Sequence, residues 1–88
     1  LVKKNKIEEE IERIRNKTIK PTEKVNELLR KYNSSEISTG VKLVDLVKRS
    51  ELTYDILKDI DDDRPELDIQ VQKEVEIELK YEESVLNN

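Results

Sequence analysis

The sequence predicts an all-α fold, a small bundle of four to five short helices that forms one domain over residues 1–88. Apolar residues recur at steps of three and four along most of the chain, which is the spacing of one helix face. One Gly and two Pro leave few signals for the tight turns that join strands. A chain of 88 residues is long enough to bury one core but not two.

The first predicted helix carries its apolar stripe at Ile7, Ile11, Ile14 and Thr18. These positions step by four, three and four residues, so they share one face, and charged residues occupy the other faces. We expect Pro21 to end or interrupt this helix, because proline lacks an amide donor and disfavours helical geometry at the residue before it.

A second helix is expected to begin at Thr22, whose hydroxyl can cap the first turn. Its buried stripe consists of Val25, Leu28, Leu29 and Tyr32, and residues 33–35 close it.

A third segment opens near residues 38–40 and runs over residues 41–49. Apolar residues are so dense there that we expect this short helix to lie at the centre of the core.

Leu52 and Thr53 resemble a hydrophobic staple and an N-cap that precede a fourth helix. The inward face of that helix would be Ile56, Leu57 and Ile60, and residues 61–65 would end it. Three consecutive aspartates at 61–63 raise the question of a calcium site. They lack the alternate ligand spacing and the glycine of an EF-hand loop, so we reject that interpretation.

The last segment, from Asp68 onwards, carries two conflicting patterns. Its apolar residues at 75, 77, 79 and 81 alternate with charged ones, as in a half-buried strand. Val71, Val75 and Leu79 are also spaced by four, as on a helix face, and the residues between them favour helices. A strand here would lack a partner, because no other stretch combines a period of two with turn signals. We therefore predict a helix.

The composition excludes several classes of function. The chain has no His and no Cys, which removes the commonest ligands of transition metals, the usual nucleophile and base pairs, and disulfides. A single glycine cannot form a phosphate-binding loop. No apolar run approaches the roughly 20 residues of a membrane span, so we expect a soluble, cytoplasmic protein with no membrane contact.

The net charge of −4 is unevenly distributed. Residues 1–33 contain ten Lys and Arg against six Asp and Glu, whereas residues 34–88 contain seven against fifteen. An acidic chain is a poor general ligand for nucleic acid, because affinity for phosphate depends on clustered cations. The basic N-terminal third could still contact phosphate, although charged helix faces most often serve solubility.

Two motifs, in order, resemble the C-terminal helical domain of the MnmG (GidA) family of tRNA-modification enzymes. Residues 43–54, LVDLVKRSELTY, are similar to the family pattern L-x-D-L-L-R-R-P-E-I-x-Y. Residues 75–82, VEIELKYE, are similar to V-E-I-x-I-K-Y-E-G-Y. Residues 18–21 also resemble a short link between helices in that family. The resemblance covers roughly residues 7–82.

The resemblance implies that the chain is a C-terminal fragment of a larger flavoenzyme. That parent uses FAD and NADH, is a homodimer, and acts with the GTPase MnmE to modify carbon 5 of the wobble uridine in certain tRNAs. Its flavin and NADH sites are implied to lie in domains that this sequence lacks. The fragment alone would bind no cofactor and no metal and would not be an enzyme; it would dock MnmE and help to bind tRNA.

Carried over by position, the candidate contacts with tRNA or with a partner are Lys48, Arg49, Tyr54, Lys80 and Tyr81. Exposed cations at such positions can reach phosphate, although Lys48 and Arg49 could equally oppose the dipole of a helix C-terminus. The sequence departs from the family pattern at Ser50, where the family has proline, and at residues 83–84, where it has Gly-Tyr. These departures weaken any tRNA role for the extreme C-terminus.

An alternative function is a freestanding helical module for protein–protein interaction that pairs with itself through exposed aliphatic residues. Under either interpretation, we expect residues 1–6 and 83–88 to be frayed ends of the domain.

Overall fold

The computed structural model describes residues 5–86, with side chains described as far as residue 81. The helices and strands follow in chain order: α1 Lys6–Asn16, β1 Thr18–Ile19, α2 Glu23–Lys31, β2 Val41–Lys42, α3 Leu43–Val47, a 3₁₀ helix Ile56–Ile60, and α4 Ile69–Leu86. The predicted all-α class is therefore confirmed, with one small two-stranded sheet added to it.

Helix α1 begins where the side chain of Asn5 accepts a hydrogen bond from the Glu8 amide at 2.8 Å. It ends at Asn16, so the prediction that Thr18 continues the helical stripe is wrong. Thr18 instead lies in β1, which pairs antiparallel with β2 in the register Thr18 to Lys42. β-Branched Thr18 and Ile19 favour extended backbone, and Pro21 disfavours helical geometry just beyond them.

The two strands approach each other closely at Gly40, which directly precedes β2. A Cβ atom at Gly40 would lie 3.3 Å from the Cγ2 atom of Thr18, closer than side chains usually pack. The amide of Leu43 donates to the carbonyl of Lys17 at 2.8 Å and extends the pairing to the first residue of α3. This small sheet ties the end of α1 to the beginning of α3.

The predicted cap of α2 is confirmed, because the Thr22 hydroxyl accepts from the amide of Val25 at 3.2 Å. The helix ends in a Schellman arrangement around Asn33, whose φ of 58° places it in the left-handed region. Asn tolerates that region better than most residues. The Ser34 amide donates to the carbonyl of Leu29 at 2.8 Å, so this carbonyl in the last turn of α2 has a hydrogen-bond partner.

The third predicted helix, over residues 41–49, is shorter than expected. Val41 and Lys42 form β2, and α3 covers Leu43–Val47 only. Its position at the centre of the core is confirmed, because Leu43, Val44, Leu46 and Val47 are all buried. All residues of α3 except the exposed Asp45 are apolar, so most of its surface must be covered, and α3 contacts α1, α4 and β2.

The fourth predicted helix is a 3₁₀ helix, and its predicted cap is present. The Thr53 hydroxyl accepts from the amide of Ile56 at 3.1 Å. Leu57 and Ile60 are buried and Ile56 is half-buried, so the predicted inward face is correct. The 3₁₀ geometry is usual in short pieces, and this run of five residues is longer than most.

The last segment is helical, as predicted, and its two sequence patterns have one cause. Val75 and Leu79 are fully buried, whereas Ile77 and Tyr81 are exposed on the outer side of the same helix. Because α4 carries apolar residues on both its inner and outer faces, its sequence alternates as a strand would.

The fraying expected at residues 1–6 and 83–88 stays a prediction. Asn5 caps α1 and Lys6 is its first residue, while the backbone of α4 continues to Leu86. Residues 1–4 and 87–88 lie outside the described residues.

Candidate functional site

Lys80, on α4, is turned inward and is half-buried. Its ammonium group donates to the carbonyls of Val47 at 2.8 Å, Arg49 at 2.8 Å and Leu52 at 2.7 Å. An ammonium group has three protons, so each of them has a backbone acceptor. Lys80 therefore binds carbonyls that the end of α3 leaves without helical partners, and it holds the following turn against α4.

Arg49 is half-buried and stabilises the loop that follows α2. Its Nη1 atom donates to the Ser34 hydroxyl and to the Ser35 carbonyl, each at 2.8 Å. The Ser34 hydroxyl in turn donates to the carboxylate of Glu51 at 2.7 Å. This bond from Ser34, together with the charge of Arg49, lowers the pKa of Glu51 below its ordinary value. Lys48 is half-buried beside it at the C-cap of α3.

Tyr54 belongs to the core, with only 1% of its surface exposed. Its hydroxyl donates to the carboxylate of Glu10 at 2.5 Å, and its amide donates to Glu76 of α4 at 2.6 Å. The guanidinium of Arg64 lies 3.7 Å from the centre of its ring. Burial, followed by the bond to Glu10, raises the pKa of Tyr54, so the phenol stays protonated.

A cluster of buried charges surrounds Tyr54, and it was not predicted from the sequence. Arg13 donates to both oxygens of Glu10 at 2.7 and 2.8 Å. It also donates to both oxygens of Asp61 at 2.9 and 2.6 Å. Arg64 donates to Asp61 at 2.9 Å. We call Glu10, Arg13, Asp61, Arg64 and the Tyr54 hydroxyl the buried charge cluster.

The pKa values within this cluster show that its charges are held in place. The hydrogen bond from Arg13 to Glu10 raises the pKa of Arg13, and the contacts with Asp61 raise it further. Burial opposes ionisation of Asp61, but the bonds from Arg13 and Arg64 outweigh it and lower the pKa of that carboxyl. The expectation that the charged residues of α1 occupy its other faces is wrong for Glu10, which lies between Ile7 and Ile14 on the buried face.

Tyr81 has 68% of its surface exposed on the outer face of α4. Ile77 and Ile69, on the same face of that helix, are 57% and 60% exposed. Of the five candidate contact residues, the structure thus places Tyr81 outward, Lys48 and Arg49 at the half-buried end of α3, and Tyr54 and Lys80 in internal contacts. It does not bring the five together into one surface.

A second exposed feature lies around β1 and the start of α2. Three lysines and one aspartate line a shallow cavity of about 310 Å³: Lys17, Lys20, Lys24 and Asp62. Lys17 pairs with Asp63 at 2.8 Å, whereas Lys20 and Lys24 are exposed. We call Lys20 and Lys24 the α2 lysine pair. It belongs to the basic N-terminal third noted in the sequence.

Among the side chains that the structure describes, residues 5–81, no three Asp or Glu lie close enough together to hold a metal ion. No helix in that part of the chain has the length and apolar character needed to cross a bilayer.

Asp61→Asn should destabilise the protein by about 3 kcal/mol at neutral pH, the lower end for breaking a buried ion pair. It removes a buried carboxylate shared by two half-buried guanidinium groups, of which Arg13 still retains Glu10. The pKa of Asp61 is lowered from its ordinary 3.8. Its contribution is therefore complete above about pH 4 and is lost as the pH falls through the folded-state value below 3.8. Urea unfolding at a series of pH values should show a shallower acid loss in the variant.

The matched control is Asp62→Asn at the exposed neighbouring position, which should change the unfolding free energy by at most about 0.5 kcal/mol. Equal effects of the two substitutions would contradict the role given to Asp61.

Lys80→Met keeps the length of the side chain but removes the donor for three carbonyls. We expect a loss of about 1–3 kcal/mol in the free energy of unfolding, measured with urea. Lys73→Met, at an exposed position of the same helix, should have little effect. A Lys80→Met protein as stable as the wild type would show that these three bonds are dispensable.

Comparison with known proteins assigns a family to this fold. The family model of the tRNA modifying enzyme MnmG/GidA C-terminal helical domain matches residues 1–85. The tRNA uridine 5-carboxymethylaminomethyl modification enzyme MnmG of Caldicellulosiruptor saccharolyticus is 55% identical over 82 residues, which are 93% of this chain and 13% of that protein. The proteins of the same name from Finegoldia magna and Clostridium kluyveri are each 49% identical, with the same coverage.

The chain thus spans about 13% of the length of these relatives, and the family model covers nearly all of it. The order of the two sequence motifs and the helical architecture agree with that match. This chain belongs to the family of the C-terminal helical domain of the tRNA-modifying enzyme MnmG/GidA.

Proposed function

We propose that this chain is a non-catalytic binding domain of a tRNA-modifying enzyme, and that it docks the GTPase MnmE and helps to hold tRNA. In this proposal the parent is a cytoplasmic homodimer that modifies the wobble uridine with FAD and NADH bound outside this chain. The relatives are named tRNA uridine 5-carboxymethylaminomethyl modification enzymes, which supports tRNA as the substrate of the parent. A dinucleotide-binding loop needs several glycines, and this chain has one, Gly40. Its residues therefore do not form such a loop.

The observation that carries the tRNA part of the proposal is the α2 lysine pair. Both lysines are exposed and share one shallow cavity with Lys17. Ammonium groups need no further geometry to contact a phosphodiester backbone. This surface is better suited to tRNA than Lys80, whose three protons already bind carbonyls, or Tyr54, which is buried.

The docking part of the proposal rests on the family resemblance and keeps Lys48, Arg49 and Tyr81 as candidate contacts. Arg49 and Lys80 fix the turn at residues 48–52 against the loop after α2 and against α4. Tyr54 and Lys80 therefore act in this proposal as positioning residues for the surface around them. Binding by a rigid surface loses less entropy than binding by a mobile one.

Lys20→Ala combined with Lys24→Ala should weaken binding of an unmodified tRNA transcript and reduce its salt dependence. Each lost phosphate contact lowers the slope of log affinity against log salt by roughly 0.7–0.9. Fluorescence anisotropy at several salt concentrations measures both quantities. The control variant, Lys58→Ala with Lys73→Ala, removes the same charge elsewhere, and an equal loss in that variant would contradict a localised tRNA surface.

Calorimetric titration of the chain with purified MnmE, at two salt concentrations, tests the docking function. We expect saturable binding that weakens at high salt if charged side chains take part in it. Absence of binding to the folded chain would remove MnmE docking from the proposal and leave tRNA contact.

The alternative, a freestanding interaction module, is favoured by one observation, the exposure of Ile77 and Tyr81 on α4. Sedimentation separates the two functions. Self-association with no affinity for MnmE or tRNA would support the alternative.

A further inference from the structure

The outer face of α4 carries an apolar stripe that is left uncovered by the described part of the chain. Ile69, Ile77 and Tyr81 are spaced by eight and four residues, so they lie on one side of the helix, and each is exposed over more than half of its surface. The stripe extends over roughly 18 Å, at a rise of about 1.5 Å per residue. We call Ile69, Ile77 and Tyr81 the α4 outer stripe.

The core of the domain does not need this stripe. Val75 and Leu79 are buried on the opposite face and Val71 packs against the same core, so the inner side of α4 is complete. A surface helix usually places polar residues opposite its core face. A second apolar face exposed to water is the usual mark of an interaction site.

The stripe continues into a groove of about 420 Å³ between α4 and the segment that precedes the 3₁₀ helix. Ile69 and Ile77 form one side of this groove, and Thr53 and Tyr54 contribute to the other. Its shape is fixed, because Glu76 accepts a hydrogen bond from the amide of Tyr54 at 2.6 Å. A groove beside an apolar helix face is the geometry that receives an amphipathic helix.

The charges around the stripe indicate what it binds. Asp68, Glu74 and Glu78 are exposed on α4, and Asp55 lies on the far side of the groove. Lys73 lies within the stripe and Lys58 pairs with Asp55 at 3.4 Å, so two cations face these four carboxylates and acidic groups remain in excess. Such a rim repels a phosphodiester backbone, and a second copy of the chain would bring like charges together. A positively charged partner is attracted instead.

We propose that the α4 outer stripe and its groove bind an amphipathic helix whose aliphatic face is flanked by Lys and Arg. This inference rests on the proposed docking function, to which it gives a surface and a partner segment of defined chemistry. It separates the two functions of the domain in space, since tRNA would contact the basic α2 lysine pair and a protein helix would contact the acidic rim of α4.

The test uses two synthetic helical peptides of about 18 residues, or five helical turns. One has leucines on one face and lysines on both flanks, and the other has glutamate in place of each lysine. Calorimetry with the intact chain should give an affinity for the lysine peptide that is at least about tenfold higher. Equal affinities for the two peptides, or no binding of either, would overturn the proposal.

Three variants locate the binding. Ile77→Lys should weaken binding of the lysine peptide by about tenfold or more, because it places a cation in the apolar contact. Lys73→Glu should strengthen it, because it replaces a cation within the stripe by a carboxylate. Ser38→Lys adds a cation at an exposed loop position and should change little. Ile77 is exposed, so the fold should persist, which thermal unfolding by circular dichroism verifies.

The same variants distinguish failure of this inference from failure of the proposed function. If MnmE binds the wild-type chain and Ile77→Lys equally well, docking stands and the α4 outer stripe is not its surface. If MnmE does not bind but the lysine peptide behaves as expected, docking of MnmE fails and the stripe serves another basic helix. Sedimentation that shows a dimer lost on Ile77→Lys would assign the stripe to a second copy and overturn the proposal.

Discussion

Arg13 makes the contact on which the packing of this small domain depends. One guanidinium group joins Glu10 on its own helix to Asp61 at the end of the 3₁₀ helix, and all four of its contacts are 2.9 Å or shorter. Tyr54 and Arg64 complete the arrangement, so no described buried polar side-chain atom lacks a partner. The core is otherwise aliphatic and thin. Specific polar bonds thus fix the position of a segment that apolar packing alone would leave free to slide.

Such a cluster has a cost, because buried charges lose their hydration. The cluster recovers that loss only if each carboxylate faces a guanidinium, and here two carboxylates face two. The same logic governs Lys80, whose charge is desolvated but satisfied by three carbonyls. The backbone of the turn after α3 is satisfied by a side chain from α4, so the two segments can only fold together. The surface formed by this turn depends on the three hydrogen bonds from Lys80.

Local patterns in the sequence were sufficient to predict the helices and several of their ends. The Thr22 cap and the inward spacing of Val75 and Leu79 depend only on residues a few positions apart. The sheet could not be predicted in this way, because Thr18 pairs with Lys42 across more than twenty residues. The buried charge cluster was missed for the same reason. Glu10 meets Tyr54 across 44 positions and Arg13 meets Asp61 across 48.

The ambiguity of the last segment contained functional information. A helix that packs only against the core has one apolar stripe, and its sequence shows helical spacing without the alternation that is typical of a strand. The alternation of residues 75–81 arose because Ile77 and Tyr81 are apolar where the fold does not require it. Tyr54 and Lys80 show the converse. They resembled contact residues by position in a motif, yet the fold uses both of them internally. Apolar residues in excess of what the core needs are therefore the observation on which the proposed α4 surface rests.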